Sequence, residues 1–152
     1  MTMDHAIMAA ELFLEGFNCA QAVAVAFTDV TGMDKKEAAK LAAPFGGGMG
    51  RMREVCGAVS GMFMVLGALY GYDNSDADAK KKETYQQVQE LAAKFKEENG
   101  SIICREILKN PPSDPNPSPR TAEYYAKRPC ARMVMTAAKL MDEFIAQHPL
   151  EA

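Results

Sequence analysis

Apolar residues recur along most of this chain at the three- and four-residue spacing of helix faces, and the residues that flank those runs cap helices. Ile7, Met8, Ala9, Leu12 and Phe13 follow Asp4, a possible N-cap, and Gly16 supplies a stop. Asn18 is placed to cap a second helix, CAQAVAVAFTDV, which Gly32 closes. Asp34 with Glu37 three positions later resembles a capping box for a third helix, KKEAAKLAA, ended by Pro44.

A fourth helix starts near Val55, with small residues at Gly57, Gly61 and Ala68 that permit close approach of another backbone. From Ser75 or Asp76, the spacing of Tyr85, Val88, Leu91 or Ala92, and Phe95 predicts a long amphipathic helix ending at Asn99-Gly100. Ser101 is placed to cap a shorter helix, IICREILK, with Cys104 in its first turn. The run NPPSDPNPSPR cannot be helical and reads as a long connector. After Arg128-Pro129, Met133, Ala137, Leu140, Met141 and Phe144 mark a final helix. No segment alternates as a strand does. The pattern therefore predicts an all-α bundle of about six helices in a single domain over residues 1–152. Its core is expected to include Phe13, Val23, Phe27, Val59, Phe63, Leu66, Phe95, Ile107, Leu140 and Phe144.

Composition narrows the function classes. With 48% hydrophobic and 24% charged residues the chain is globular rather than disordered. Its net charge of −3 gives no general attraction to nucleic acid or anionic lipid, so neither is an expected partner. Cys56–Tyr70 is too short and too rich in glycine for membrane insertion. Asp4, Glu11 and Glu15 occupy the start of the chain, where a secretory signal has a basic stretch and then a clean apolar one, so a cytoplasmic location is expected.

Four cysteines in a reducing compartment read as buried thiols, metal ligands or a redox site rather than permanent disulfides. Each of Cys19, Cys56, Cys104 and Cys130 falls in or near the first turn of a different predicted helix, where unpaired N–H groups favour thiolate. Arg51 and Arg53 precede Cys56, Arg105 follows Cys104, and Lys127, Arg128 and Arg132 surround Cys130. The cysteine gaps of 37, 48 and 26 positions match no zinc-ribbon or ferredoxin spacing.

Phe45 to Gly61, FGGGMGRMREVCGAVSG, joins a glycine-rich turn to Cys56. Gly46, Gly47, Gly48 and Gly50 would turn the backbone and present N–H groups, while Gly57 and Gly61 would let other helix ends approach. Arg53 replaces the third glycine of a nucleotide loop, and no P-loop lysine follows. His5 and His148 read as solvated surface residues, and Met62, Met64, Met133, Met135 and Met141 as core filler. Asp73, Asp76 and Asp78 lack the pattern of a calcium loop.

Cys19, the C-G-A-x-x-G stretch Cys56–Gly61, Cys104 and Cys130 resemble the small bacterial family of putative redox-active proteins designated C_GCAxxG_C_C. The resemblance covers nearly the whole chain and implies that these are the four family-wide cysteines, acting as catalytic or metal-binding groups. Cofactor contacts are expected from Gly48, Gly50, Arg51 and Gly57. Two versions stay open: an iron–sulfur cluster or other thiolate-bound metal, and a dithiol/disulfide cycle. A redox or transport partner protein is expected for such a site, and a homo-oligomer stays open. From a different class, the chain is read as a helical interaction module with structural cysteines and a proline-rich loop facing a partner.

Overall fold

Three caps read from the sequence, Asp4, Asn18 and Asp34, set helix starts in the first third of the chain. In a computed structural model that describes residues 4–150, Asp4 accepts the Ile7 N–H at 3.1 Å and opens α1 (His5–Leu14). Asn18 and Gln21 form a reciprocal capping box at the start of α2 (Cys19–Ala26). Asp34 accepts from Glu37 and opens α4 (Lys35–Ala42). The remaining helices are α3 (Thr28–Thr31), α5 (Gly57–Tyr70), α6 (Asp78–Asn99), α7 (Cys104–Ile107), α8 (Ala122–Lys127) and α9 (Cys130–Gln147). The protein is all-α; among the described residues the β pairing is one isolated bridge, Val55 with Ile103.

Several boundaries differ from the sequence reading. The second predicted helix breaks at Phe27, whose φ of −100° and ψ of 11° separate α2 from α3. The long helix begins at Asp78, since the Ser75 hydroxyl turns to Asp76 and caps nothing. In place of an eight-residue IICREILK helix there is a single turn, because Ile102 and Ile103 lie in extended pairing with the chain before α5. The α8 turn, capped by Thr121, has too little apolar periodicity to be read from sequence.

The core forms where α9 lies across α1, α2, α5 and α6. Phe13, Phe27, Phe95, Phe144, Met62, Leu66, Leu91, Met133 and Met141 are its largest fully buried side chains. Of the expected core, Phe63 and Ile107 are only half-buried, and Met135 is exposed. Only the second half of α6 joins this core, through Leu91 and Phe95; Tyr85 is exposed and Val88 half-buried. No helix is long and apolar enough to cross a membrane among the described residues.

His5 is not at the surface. It is 6% exposed, stacked on Phe27 at 4.1 Å, with Nδ1 2.7 Å from Asp142 and Nε2 2.9 Å from Asp29. These partners lie 137 and 24 positions away in sequence and tie α1 to α9 and α3. His148 is half-buried, stacked on Phe144 at 4.0 Å.

Helices α2 and α5 touch backbone to backbone at Gly61, where an added Cβ would stand 2.7 Å from the Ala20 carbonyl oxygen. That oxygen is main chain in a buried helix and cannot swing aside. Gly61→Leu is expected to destabilise the protein by at least about 1–3 kcal/mol through overpacking, read as a lowered denaturant midpoint at unchanged slope.

Candidate functional site: a cavity walled by four cysteines

Between the 3₁₀ turn Ala43–Phe45 and Cys56 the backbone follows a left-handed course, with φ of 67° at Gly47, 73° at Gly48, 68° at Met49, 63° at Arg51 and 62° at Arg53. Gly48 must be glycine on two counts. Its φ is unfavourable for any side chain, and a Cβ there would lie 2.6 Å from the Cys104 Cβ. The N–H groups of Gly50, Arg51, Arg53 and Glu54 donate to Pro44, Gly46, Gly47 and Gly48. Those four N–H groups, Gly50 among them, are spent inside the loop and are not offered to a ligand.

The loop is stapled to the segment that carries Cys104. Cys104 N–H donates to Glu54 at 2.6 Å, Arg105 N–H to Arg53 at 3.1 Å, and Cys56 N–H to Ile102 at 2.7 Å. Val55 and Ile103 face each other in the bridge between them. Cys56 and Cys104 are thereby fixed on neighbouring strands of chain. Cys19 is drawn in by the same helix contact that requires Gly61: a Cβ on Gly57 would stand 3.2 Å from the Cys19 Cβ.

Cys19 is the first residue of α2, Cys56 the N-cap of α5, Cys104 the first of α7 and Cys130 the first of α9. All four line one cavity of about 410 Å³. Gly48, Gly50, Arg51 and Gly57 line it too. Pro115, Pro117 and Ser118 contribute a further wall, so the proline-rich segment lies over the cysteines.

Arginines dominate the electrostatics. Arg53 is 5% exposed, donates from Nε to the Pro112 carbonyl at 2.9 Å, and has Nη1 3.8 Å from the Cys104 sulfur. Arg120 donates to the Phe13 and Phe17 carbonyls at 3.0 and 3.1 Å, and Arg128 stacks over Tyr124 at 5.1 Å. Both line the cavity. Arg105 does not line it: it donates to the Arg53 carbonyl and pairs with Glu54. Lys127, paired with Glu123, and exposed Arg132 are also absent from the wall.

The four sulfurs ionise differently. Hydrogen bonding between Cys19 and Cys130 keeps the proton on Cys19, whose thiol is pushed well above its ordinary range, with burial adding to the effect. The same hydrogen bond lowers Cys130 to about 7, against the cost of burial and with help from Arg128, Arg120 and Arg53. Burial pushes Cys56 up to about 12, although the Ala58 and Val59 N–H groups oppose it. Burial also raises Cys104, with Arg53 opposing. Placement at a helix start is thus common to all four, but thiolate is favoured at Cys130 alone.

The sequence reading missed Arg120 and the cover it belongs to. The available signal was its position at the end of the proline-rich run, four residues before Tyr124. For a metal, the donor chemistry is that of four thiols, the ligand set of iron–sulfur clusters. Among the described residues, no three His, Cys, Asp or Glu side chains are grouped to hold one ion.

The family model described as putative redox-active protein (C_GCAxxG_C_C) matches residues 17–144, a stretch that contains all four cysteines. No curated protein and no solved structure matches the chain.

The unequal thiols have a direct readout. Alkylation of Cys130 is expected to rise with pH through a midpoint near 7 and level off above it, falling about tenfold per pH unit below. Cys56 is expected to stay unreactive throughout that range. Residue-resolved mass spectrometry checks both; a Cys130 midpoint as high as that of an ordinary thiol counts against the pairing with Cys19.

Proposed function

Because the chain belongs to the family of putative redox-active proteins, we propose that the cavity is a thiol redox site in which Cys130 and Cys19 pass between dithiol and disulfide. The observation that supports this most is the convergence of both sulfurs on a cavity lined by four arginines, where their interaction pushes the Cys19 thiol up and brings Cys130 down. In the reductive direction the Cys130 thiolate attacks one sulfur of an incoming disulfide. That S–S bond breaks, one half leaves as thiolate, and the other stays joined to Cys130. Cys19 then attacks the Cys130 sulfur, its proton passes to the departing half, and the Cys19–Cys130 disulfide remains. Two electrons have moved to the substrate, which leaves as one thiolate and one thiol.

Cys130 suits the attacking role, since a thiol that titrates near ambient pH combines a large thiolate fraction with retained nucleophilicity. Cys19 suits the resolving role: it keeps its proton until the mixed disulfide forms and is the least buried of the four cysteines. A second reading draws on the convergence of all four sulfurs on one cavity. In it Cys19, Cys56, Cys104 and Cys130 hold an iron–sulfur cluster, which would supply one-electron transfer, and the arginines offset the charge of four thiolates.

Anaerobic purification followed by iron, sulfide and thiol counting separates the readings. The expected outcome is a metal-free protein that loses two thiols on mild oxidation, with a disulfide mapped to Cys19 and Cys130 and lost in Cys130→Ser. Iron and sulfide in stoichiometric amount, lost in Cys56→Ser, would establish the cluster instead. Four unreactive thiols with no metal would return the chain to the interaction-module class.

A further inference from the structure

Positive charge gathers in this cavity against the trend of the whole chain, whose net charge is −3. Arg53, Arg120 and Arg128 line it, as does Arg51 at the loop. Among the described residues no Asp or Glu is part of the wall, and none of the four arginines is in an ion pair. The Arg53 guanidinium is nearly sealed from solvent, with a carbonyl and a thiol as its polar contacts. Even with one thiolate at Cys130, cations remain in excess inside a space where charges are less screened than in water.

The rest of the wall describes the ligand's body. Phe13, Ile107, Leu108 and Met133 make up the apolar part of the wall, and Ile107 and Leu108 are half-buried there, packed on the edge of the core. A volume of about 410 Å³ lies within the roughly 300–1,000 Å³ of small-molecule sites.

Resting on the thiol redox reading, we infer that the substrate is a small organic disulfide carrying carboxylates on both halves. Guanidinium groups pair with carboxylates in a two-pronged, charge-assisted manner, which would hold each half while the S–S bond lies over Cys130. The dianion accepts the electron pair of the Cys19–Cys130 couple and leaves as one thiolate and one thiol. Cleavage relieves the crowding of charge, because each product carries away its own carboxylate.

The test compares three disulfides of similar size on the reduced full-length protein: dianionic 3,3′-dithiodipropionate, neutral 2-hydroxyethyl disulfide and dicationic cystamine. At low ionic strength the dianion is expected to react at least tenfold faster than the neutral compound, with cystamine slowest. Added salt should compress the order. Arg128→Gln should compress it as well, and Arg120→Gln serves as the second variant because Arg120 also ties the cover to α1. A parallel arm needs no disulfide exchange: Cys130 alkylation by iodoacetate relative to iodoacetamide, each referred to a free thiol, should favour the anion. Equal rates for the three disulfides with no preference for iodoacetate overturn the inference. No exchange with any of them, while iodoacetate is still preferred, overturns the dithiol reading and the disulfide as ligand, and keeps the preference for anions.

Discussion

The whole site depends on one close contact between helix backbones. At Gly61 the α5 backbone rests against the Ala20 carbonyl, and at Gly57 it reaches the Cys19 Cβ, so the N-terminal ends of α2 and α5 lie side by side. Ala20 and Val23 are the α2 side of that contact, and both are fully buried. With α2 and α5 locked together, α9 packs over both through Met133, Val134 and Ala137, and its own first residue, Cys130, arrives above Cys19. A side chain at Gly61 would push the helix ends apart, and with them the sulfurs.

Within the cavity, helix ends and burial oppose each other; burial wins at Cys56 and Cys104, while at Cys19 the hydrogen bond with Cys130 leads and burial adds to it. A helix end favours a nearby anion by about 0.3–1 kcal/mol. Holding the Cys56 thiol up at about 12 disfavours ionisation by several kcal/mol, at about 1.4 kcal/mol per pH unit. Cys130 escapes because it receives a hydrogen bond from Cys19 and faces three guanidinium groups at once. The site thus holds one ready thiolate and three reserved thiols.

The loop that positions Arg53 is itself strained. Met49, Arg51 and Arg53 are non-glycine residues in the left-handed region, at a typical cost of about 1–3 kcal/mol each. Hydrogen bonds from Arg53 and Glu54 back to Gly47 and Gly48, and from Cys104 and Arg105 across to Glu54 and Arg53, hold that conformation in place. The result is a buried arginine fixed beside Cys104 by main-chain bonds, in a position that rotamer choice alone would not secure.

Much of this was legible in one dimension. Asp4, Asn18 and Asp34 act on N–H groups three residues ahead, and the apolar stripes of α5 and α9 repeat within one or two turns, so local rules suffice for an all-α fold. The placement of Cys19 at a helix start followed from the Asn18 cap, and that of Cys130 from the Arg128-Pro129 boundary before a periodic apolar stripe. The sequence alone could not show that His5 is buried between Asp29 and Asp142, that Arg120 joins the site while Arg105 leaves it, or which thiol ionises. Those outcomes are sums of burial and charge over groups as far as 137 positions apart. The chain's own short-range chemistry therefore determined the helices and their cysteines, and only tertiary packing decided which of those cysteines carries charge, because desolvation and Coulomb interactions depend on distance in space.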